Sequence, residues 1–337
     1  MNRLLVLLAG LWTVSAQSAE IEVWAKGLMA PFGMDYQDKV MVIAEYKGHR
    51  ILAITPDGKV TTIAGSPKVG TTDGPAAEAL FNQPHNVVVG NNGLLYVADT
   101  MNHTIRVIDT SKKTVATLAG SEKGFAGDGG SFAEAKFNQA YHVALSADKN
   151  TLYLADLGNR RIRALDLVKK TVTTVVGNGQ RGVPADGTEA TKAPLMDPRA
   201  VTVDAKGNIW ILERGGHCLR VVENGKIRTV AGNGKKAGTG DGGPALQASM
   251  DGPKFLWVEA SGNILIADTE NHIIRRVVVK DGTIQRIAGT GKKGTKVGPS
   301  WKEVELNQPH GVSVGPDGLL YIADSTNNRV LRGPVPE

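Results

Sequence analysis

The residues able to do chemistry in this sequence fall at the starts of a recurring strand. Reading one slot, the residue after a proline or alanine, through successive copies gives Phe32, His85, Tyr141, Arg199, Lys254 and His310. An arginine can grip a carboxylate, phosphate or sulfate with two parallel hydrogen bonds, and a lysine adds a point charge. Phe32 and Tyr141 supply an aromatic wall. His85 and His310 can exchange hydrogen bonds or move protons near neutral pH, which makes them the two candidate catalytic groups. His142 falls one residue later, in the slot of Asn86 and Gly311. Alternation along a strand turns it away from its neighbour, unless the strand start is irregular. Structural slots in a repeat tend to stay alike, whereas a binding surface need not. This slot differs in nearly every copy.

The elements that position these residues form a repeat, which fixes the architecture before anything else. The stretch Phe81 to Gly120 contains four short β-prone runs: Asn86 to Val89, Leu94 to Ala98, Thr104 to Ile108 and Thr114 to Leu118. Variants recur at Phe137 to Gly177, Leu195 to Gly232 and Met250 to Gly289, from Leu306 onward, and more weakly at Leu28 to Gly65. The runs are short, rich in β-branched residues and broken by Gly and Asn, so each copy predicts a four-stranded antiparallel sheet. An acidic residue ends the second run of every copy: Glu45, Asp99, Asp156, Glu213, Asp268 and Asp324, spaced 54 to 57 residues apart. Sheets repeated at that period predict an all-β, six-bladed β-propeller. The last copy stops after three strands. Ile21 to Gly27 resembles the missing fourth, so the N-terminal strand is expected to complete the last blade and remove an open sheet edge.

The consensus resembles the NHL repeat family. The carrying residues are Pro309-His310-Gly311-Val312-Ser313-Val314, Tyr321-Ile322-Ala323-Asp324, Ala267-Asp268-Thr269-Glu270-Asn271-His272 with Ile274-Arg275, and the loop Gly238 to Ala245, which is typical of bacterial members. The resemblance implies the propeller but leaves function open, because such propellers serve as enzymes and as binding platforms. The Pro-His pairs at His85 and His310 also look like the zinc-bearing strand starts of the peptide-amidating lyase. Zinc needs three or four ligands. Only two histidines are in phase, and Arg199 and Lys254 oppose a cation. The ring also lacks the Glu/Asn/Asp set of the calcium-dependent gluconolactonase and paraoxonase propellers. No cofactor is favoured, zinc or calcium stays open, and no metal ligand is assigned.

Other chemistry-bearing residues read as scaffold. His49, His103, His217 and His272 share one slot with Arg160 and Asn328, and are expected to hydrogen-bond within the turn between the second and third strands. The Asp-Gly pairs at Asp73, Asp128, Asp186 and Asp241 are expected to cap short helical turns, since they lack the alternating ligands of a calcium loop. Cys218, the single cysteine, reads as a packing residue. Gly177 to Gly182 and Gly289 to Gly294 match the dinucleotide fingerprint but lack the helix it requires.

Composition sets outer bounds. The chain has 337 residues and a formal charge of +6, with no block of Lys or Arg, which argues against a nucleic-acid partner. Asn2-Arg3, the apolar run Leu4 to Trp12 and the small residues Val14 to Ala19 read as a secretory signal. The expected organisation is a signal peptide at 1–19 and a propeller at 20–337, exported to a periplasm or beyond, monomeric, and without membrane attachment after signal removal. The favoured activity is binding of a small anionic or polar ligand, or of a protein or polysaccharide segment, at the central channel mouth. The alternatives are a lyase or hydrolase using the channel histidines as acid, base or metal ligands, and a protein-interaction platform using the outer loops.

Overall fold

A computed structural model describes residues 20–337; the expected signal peptide lies outside the described residues. The chain forms a ring of six antiparallel blades, numbered one to six along the sequence. The innermost strands of blades one to six are Pro31–Gln37, Pro84–Val89, Ala140–Leu145, Pro198–Val203, Phe255–Val258 and Gly311–Val314. The fourth strand of blade six is Glu22–Lys26, which pairs with Arg329–Pro334 and closes the ring as expected. The loops entering blades two and four add two-residue strands, Gly74–Pro75 and Thr188–Glu189, to the outer edges of those blades. This covers part of each exposed edge. Among the described residues, no helix is long and apolar enough to cross a membrane.

The apolar core is divided among the seams between blades. Met34 and Met41 of blade one pack on Tyr321 and Ala323 of blade six, and Leu212 and Val221 of blade four pack on Leu256 and Ile266 of blade five. Each blade is therefore apolar on both faces, and its alternating Val, Ile and Leu residues serve two seams.

A polar clamp stitches each blade to the loop that feeds it. The buried acid at the end of the second strand accepts from the backbone N–H just ahead of the innermost strand: Asp99 from Asn82 at 2.7 Å, Asp156 from Asn138 at 2.8 Å, Asp268 from Asp251 at 2.9 Å. Its other oxygen takes an arginine, Arg106, Arg163 or Arg275, seven residues on. In blade four Arg220 pairs with Glu213 from the same register. In blades one and six the arginine comes five residues on, as Arg50 and Arg329. The clamp is complete in every blade, so these buried charges are paired.

Two scaffold expectations need correction. The turn histidines do not bond within their own turn. His49, His103, His217 and His272 are held at φ of 48 to 58°, a left-handed conformation that His and Asn tolerate better than most residues. From there the Nδ1 atoms of His49, His103 and His272 accept the backbone N–H of Gln83, Gln139 and Gln308 in the next blade, each at 3.0 Å. Asn328 does the same to Ala30 through Oδ1 at 3.0 Å. Nor do the Asp-Gly aspartates cap helices. Asp73, Asp128 and Asp186 accept the backbone N–H of Thr117, Thr174 and Thr229 on outermost strands, where an edge donor would otherwise go unpaired. Asp73 and Asp241 also meet the clamp residues Arg106 and Arg275.

Candidate functional site

The six ring side chains lie around one mouth of the central channel, four of them where the innermost strand is irregular and two just ahead of it. The ladder between first and second strands skips a residue between Pro84 and Asn86, between Ala140 and His142, and between Pro198 and Ala200. His85, Tyr141 and Arg199 are the residues skipped. In blade one the skip covers Phe32 and Gly33. Lys254 and His310 lie just before the regular strands of blades five and six. A bulged residue is freed from the ladder and its side chain is re-aimed. The irregularity therefore turns a structural position into a presenting one.

Phe32, His85, Tyr141, Arg199, Lys254 and His310 line a cavity of about 400 Å³ together with Tyr46, Lys47 and Gln308. The side chains form a stacked belt. The Arg199 guanidinium lies 3.5 Å above the Tyr141 ring. Tyr141 meets His85 at 4.0 Å between centroids, and His85 meets Phe32 edge-on at 5.1 Å. Phe32 is sandwiched between His310, at 3.9 Å and 7°, and Tyr46, at 4.6 Å and 2°. Lys254 completes the circuit.

The electrostatics of the belt are uneven. Lys254 donates to Glu270 at 2.7 Å, and Gln308 holds the other oxygen of that carboxylate at 2.7 Å. Arg199 is only 6% exposed, yet no carboxylate or other acceptor among the described residues meets it, and its Nε is buried without a partner. Burial pulls its pKa down to about 10. It remains charged at neutral pH, a largely buried cation compensated first by the Tyr141 face and less by the Asp197 carboxylate, which is itself paired with Arg214.

The two histidines are locked in one tautomer. Nδ1 of His85 lies 2.9 Å from the Gln83 carbonyl, and Nδ1 of His310 lies 2.8 Å from the Gln308 carbonyl. A carbonyl can only accept, so Nδ1 carries the hydrogen and Nε2 keeps its lone pair. Burial, and then the charges of Arg199 and Lys254, hold both imidazoles well below their usual pKa. Both are neutral at pH 7 and offer two acceptors beside Arg199, which no carboxylate among the described residues meets.

His142 does not join this mouth. It lines the narrow waist beneath the belt, a space of about 10 Å³, and a second cavity of about 290 Å³ that opens at the opposite mouth between Met34, Tyr36 and Trp257. Its ring packs edge-on against Phe255 at 5.0 Å, neither nitrogen makes a well-formed hydrogen bond among the described residues, and burial, opposed by the nearby Val201 backbone, drives its pKa down to about 3. Its strand start is irregular, and the bulge gives the mouth position to Tyr141 instead. Cys218 is buried against the Glu213 carboxylate, with burial pushing its thiol up. Among the described residues, no group of three or more His, Cys, Asp or Glu converges as a metal site would require. The sequence reading missed Tyr46, Gln308 and Glu270, which lie outside the register it followed.

Residues 81–108 and 306–332 match the family model described as NHL repeat. NHL repeat-containing protein 2 of Bos taurus is 28% identical over 333 residues, covering 88% of this chain and 45% of its own length. The chain thus spans about half the length of the curated relatives it matches first. Among solved structures, an auxiliary nutrient binding protein from Bacteroides ovatus has a TM-score of 0.68 at 14% identity, covering 94% of this chain and 76% of that one. Virginiamycin B lyase from Staphylococcus aureus has a TM-score of 0.54 at 16% identity, covering 90% and 94%. At such identities these two likenesses establish the propeller fold alone.

Proposed function

We propose that this NHL-repeat propeller is a binding protein whose site is the channel mouth, and that its ligand carries a carboxylate or similar anion. One observation carries the reading: Arg199 is buried, stacked on Tyr141 and, among the described residues, met by no hydrogen-bond acceptor. A buried cation without a counter-charge is costly, and a bidentate anion would relieve that cost. The neutral Nε2 atoms of His85 and His310 would accept hydrogen bonds from hydroxyl or N–H groups of the same ligand. The cavity of about 400 Å³ suits a small molecule or the end of a polymer. The leader expected at the N-terminus would put such a ligand outside the cytoplasm, and a monomer suffices for the site.

Thermal shift against a panel of hydroxylated carboxylates tests this. The expected result is carboxylate-dependent stabilisation that disappears in Arg199→Met. Equal stabilisation of the variant and the native protein would move the site elsewhere.

The locked histidine tautomer favours a second reading, a lyase or hydrolase in which Nε2 of His85 or His310 takes a proton and Arg199 stabilises the developing negative charge. Against it, the strongly depressed imidazole pKa values make both rings weak bases. Turnover in a substrate screen that falls in both His85→Phe and His310→Phe would establish the enzyme; turnover indifferent to both would eliminate it.

A further inference from the structure

Four of the basic residues that look evenly scattered in the sequence are brought to equivalent places on one face by the repeat. Each long loop entering a blade makes the same backbone hydrogen bond: the N–H groups of Gly70, Gly124, Gly182, Ala237 and Gly294 donate to Phe81, Phe137, Leu195, Met250 and Leu306. The residue just before each donor therefore holds an equivalent place. In four of these five loops it is a cation, Lys123, Arg181, Lys236 or Lys293; in the other it is Val69, preceded by Lys68. The loops are pinned to the face that bears the mouth. Asn159, Asn271 and Asn327, from turns between second and third strands, donate to the carbonyls of Gly124, Ala237 and Gly294 at 2.7, 3.0 and 2.7 Å. Those turns also hold the starts of the innermost strands.

Lys123, Arg181, Lys236 and Lys293 are exposed. Lys236 approaches Asp251 at 3.9 Å, and no carboxylate among the described residues pairs with the other three. Burial disfavours protonation of the turn imidazoles His103, His217 and His272; Lys123 adds to this at His103, while Lys236 and Lys293 act at His217 and His272 against the larger opposing pull of Asp251 and Glu270. A partial circle of cations, of which among the described residues only Lys236 approaches a carboxylate, thus borders a mouth whose own buried arginine has no carboxylate in contact with it.

We infer that this circle is a docking track for an acidic polysaccharide, one of whose uronate-type units enters the mouth. The inference rests on the reading of the mouth as a carboxylate site. Polymer chemistry is chosen by the mouth and the rim together. The Arg199 guanidinium fits a planar carboxylate, and the two imidazole lone pairs fit the hydroxyl donors of a sugar. The separated rim cations fit a ligand whose charge repeats along its length. A phosphodiester DNA strand carries no carboxylate, and its donors are the N–H groups of its bases, set back from the backbone charge.

The test uses isothermal titration of the full chain with galacturonate and with oligogalacturonates of increasing length, at low and at physiological salt. Dextran and single-stranded poly(dT) serve as the neutral and nucleic-acid probes. The expected result is affinity that rises by about tenfold or more from monomer to oligomer at low salt and falls as salt screens the rim. The combined variant Lys123→Gln, Arg181→Gln, Lys236→Gln and Lys293→Gln should lose that gain, keep its melting temperature and bind monomer as before. Arg199→Met should lose the monomer. Oligomer affinity no better than monomer affinity would overturn the track and leave the mouth site standing. Monomer affinity unchanged in Arg199→Met would overturn the mouth reading instead. Dextran or poly(dT) binding as tightly as the oligomer would overturn the choice of an acidic polysaccharide, and so would failure of both monomer and oligomer to bind.

Discussion

Arg275 and Arg199 are both buried arginines in the same ring of blades, and their surroundings are opposite. Arg275 has no exposed surface and meets Asp268, Asp241 and the carbonyls of Ser249 and Thr239. Arg199 is also buried and meets an aromatic face. The first belongs to a position that repeats around the ring, and its charge is consumed by the fold. The second belongs to a position that varies from blade to blade, and its charge is left over. A buried cation satisfied by its own chain is architecture; one left unsatisfied is an offer to a ligand. The comparison predicts that one substitution, Arg to Met, has opposite effects at the two positions.

The largest effect is expected at the clamp. Arg275→Met leaves the Asp268 carboxylate and two carbonyls buried without their donor, which should cost about 3–5 kcal/mol of unfolding free energy. Urea denaturation would measure it. A loss below about 1 kcal/mol would mean that the clamp charges are already solvated, and the contrast with Arg199 would collapse.

Next comes the pH dependence of stability. His85, His142 and His310 are buried as neutral rings, with folded pKa values below that of a free histidine. The unfolded chain therefore takes up protons first on acidification. The stability these rings confer is full above about pH 6.5 and falls with pH, by about 1.4 kcal/mol per unit for each ring. Asp99, Asp156 and Asp268, pushed up to about 6 by burial, act in the opposite sense. Comparison with the double variant His85→Phe, His310→Phe isolates the histidines. Its stability should decline less steeply between pH 6.5 and 5, by about 2–3 kcal/mol per unit. Parallel curves would show that the two rings protonate in the folded state, which would also remove them as neutral acceptors.

At Arg199 the same exchange to Met should leave stability unchanged or raise it by up to about 2 kcal/mol, because a desolvated charge is replaced by an apolar chain of similar length. Binding of a carboxylate should be lost together with that gain, a trade common at functional sites. A destabilisation comparable to that at Arg275 would mark Arg199 as scaffold.

The fold was legible because the pattern of short runs and the acid at their ends repeat at a near-constant spacing, and because Ile21 to Gly27 visibly matches an outermost strand. The ring slot was legible for the converse reason: register made Arg199 comparable with His85, and the difference stood out. What could not be read was which side chains pair. The clamp arginine stands seven residues after its acid in four blades and five in the others, a shift that hides one role in two registers. Arg199 and Arg275 look alike as letters, and only the third dimension separates a paired guanidinium from a lone one. The bulges that aim Phe32, His85, Tyr141 and Arg199 depend on one or two skipped residues in a ladder, a feature that strand propensity does not encode.

The smallest effect concerns the turn slot, and it tests why four of its residues are histidine. His103 sits at φ 58° and its Nδ1 accepts the Gln139 N–H of the next blade. Two demands meet there, tolerance of the left-handed region and a side-chain acceptor. Alanine meets neither, so His103→Ala should lose about 1–2 kcal/mol through backbone strain and an unpaired donor. Asparagine meets both, as it does at Asn328, where Oδ1 accepts from Ala30. His103→Asn should therefore stay within about 0.5 kcal/mol of the native protein. If Asn proved as costly as Ala, the slot would need the imidazole ring itself, and these histidines would have to be moved from the scaffold that repeats to the surface that does not.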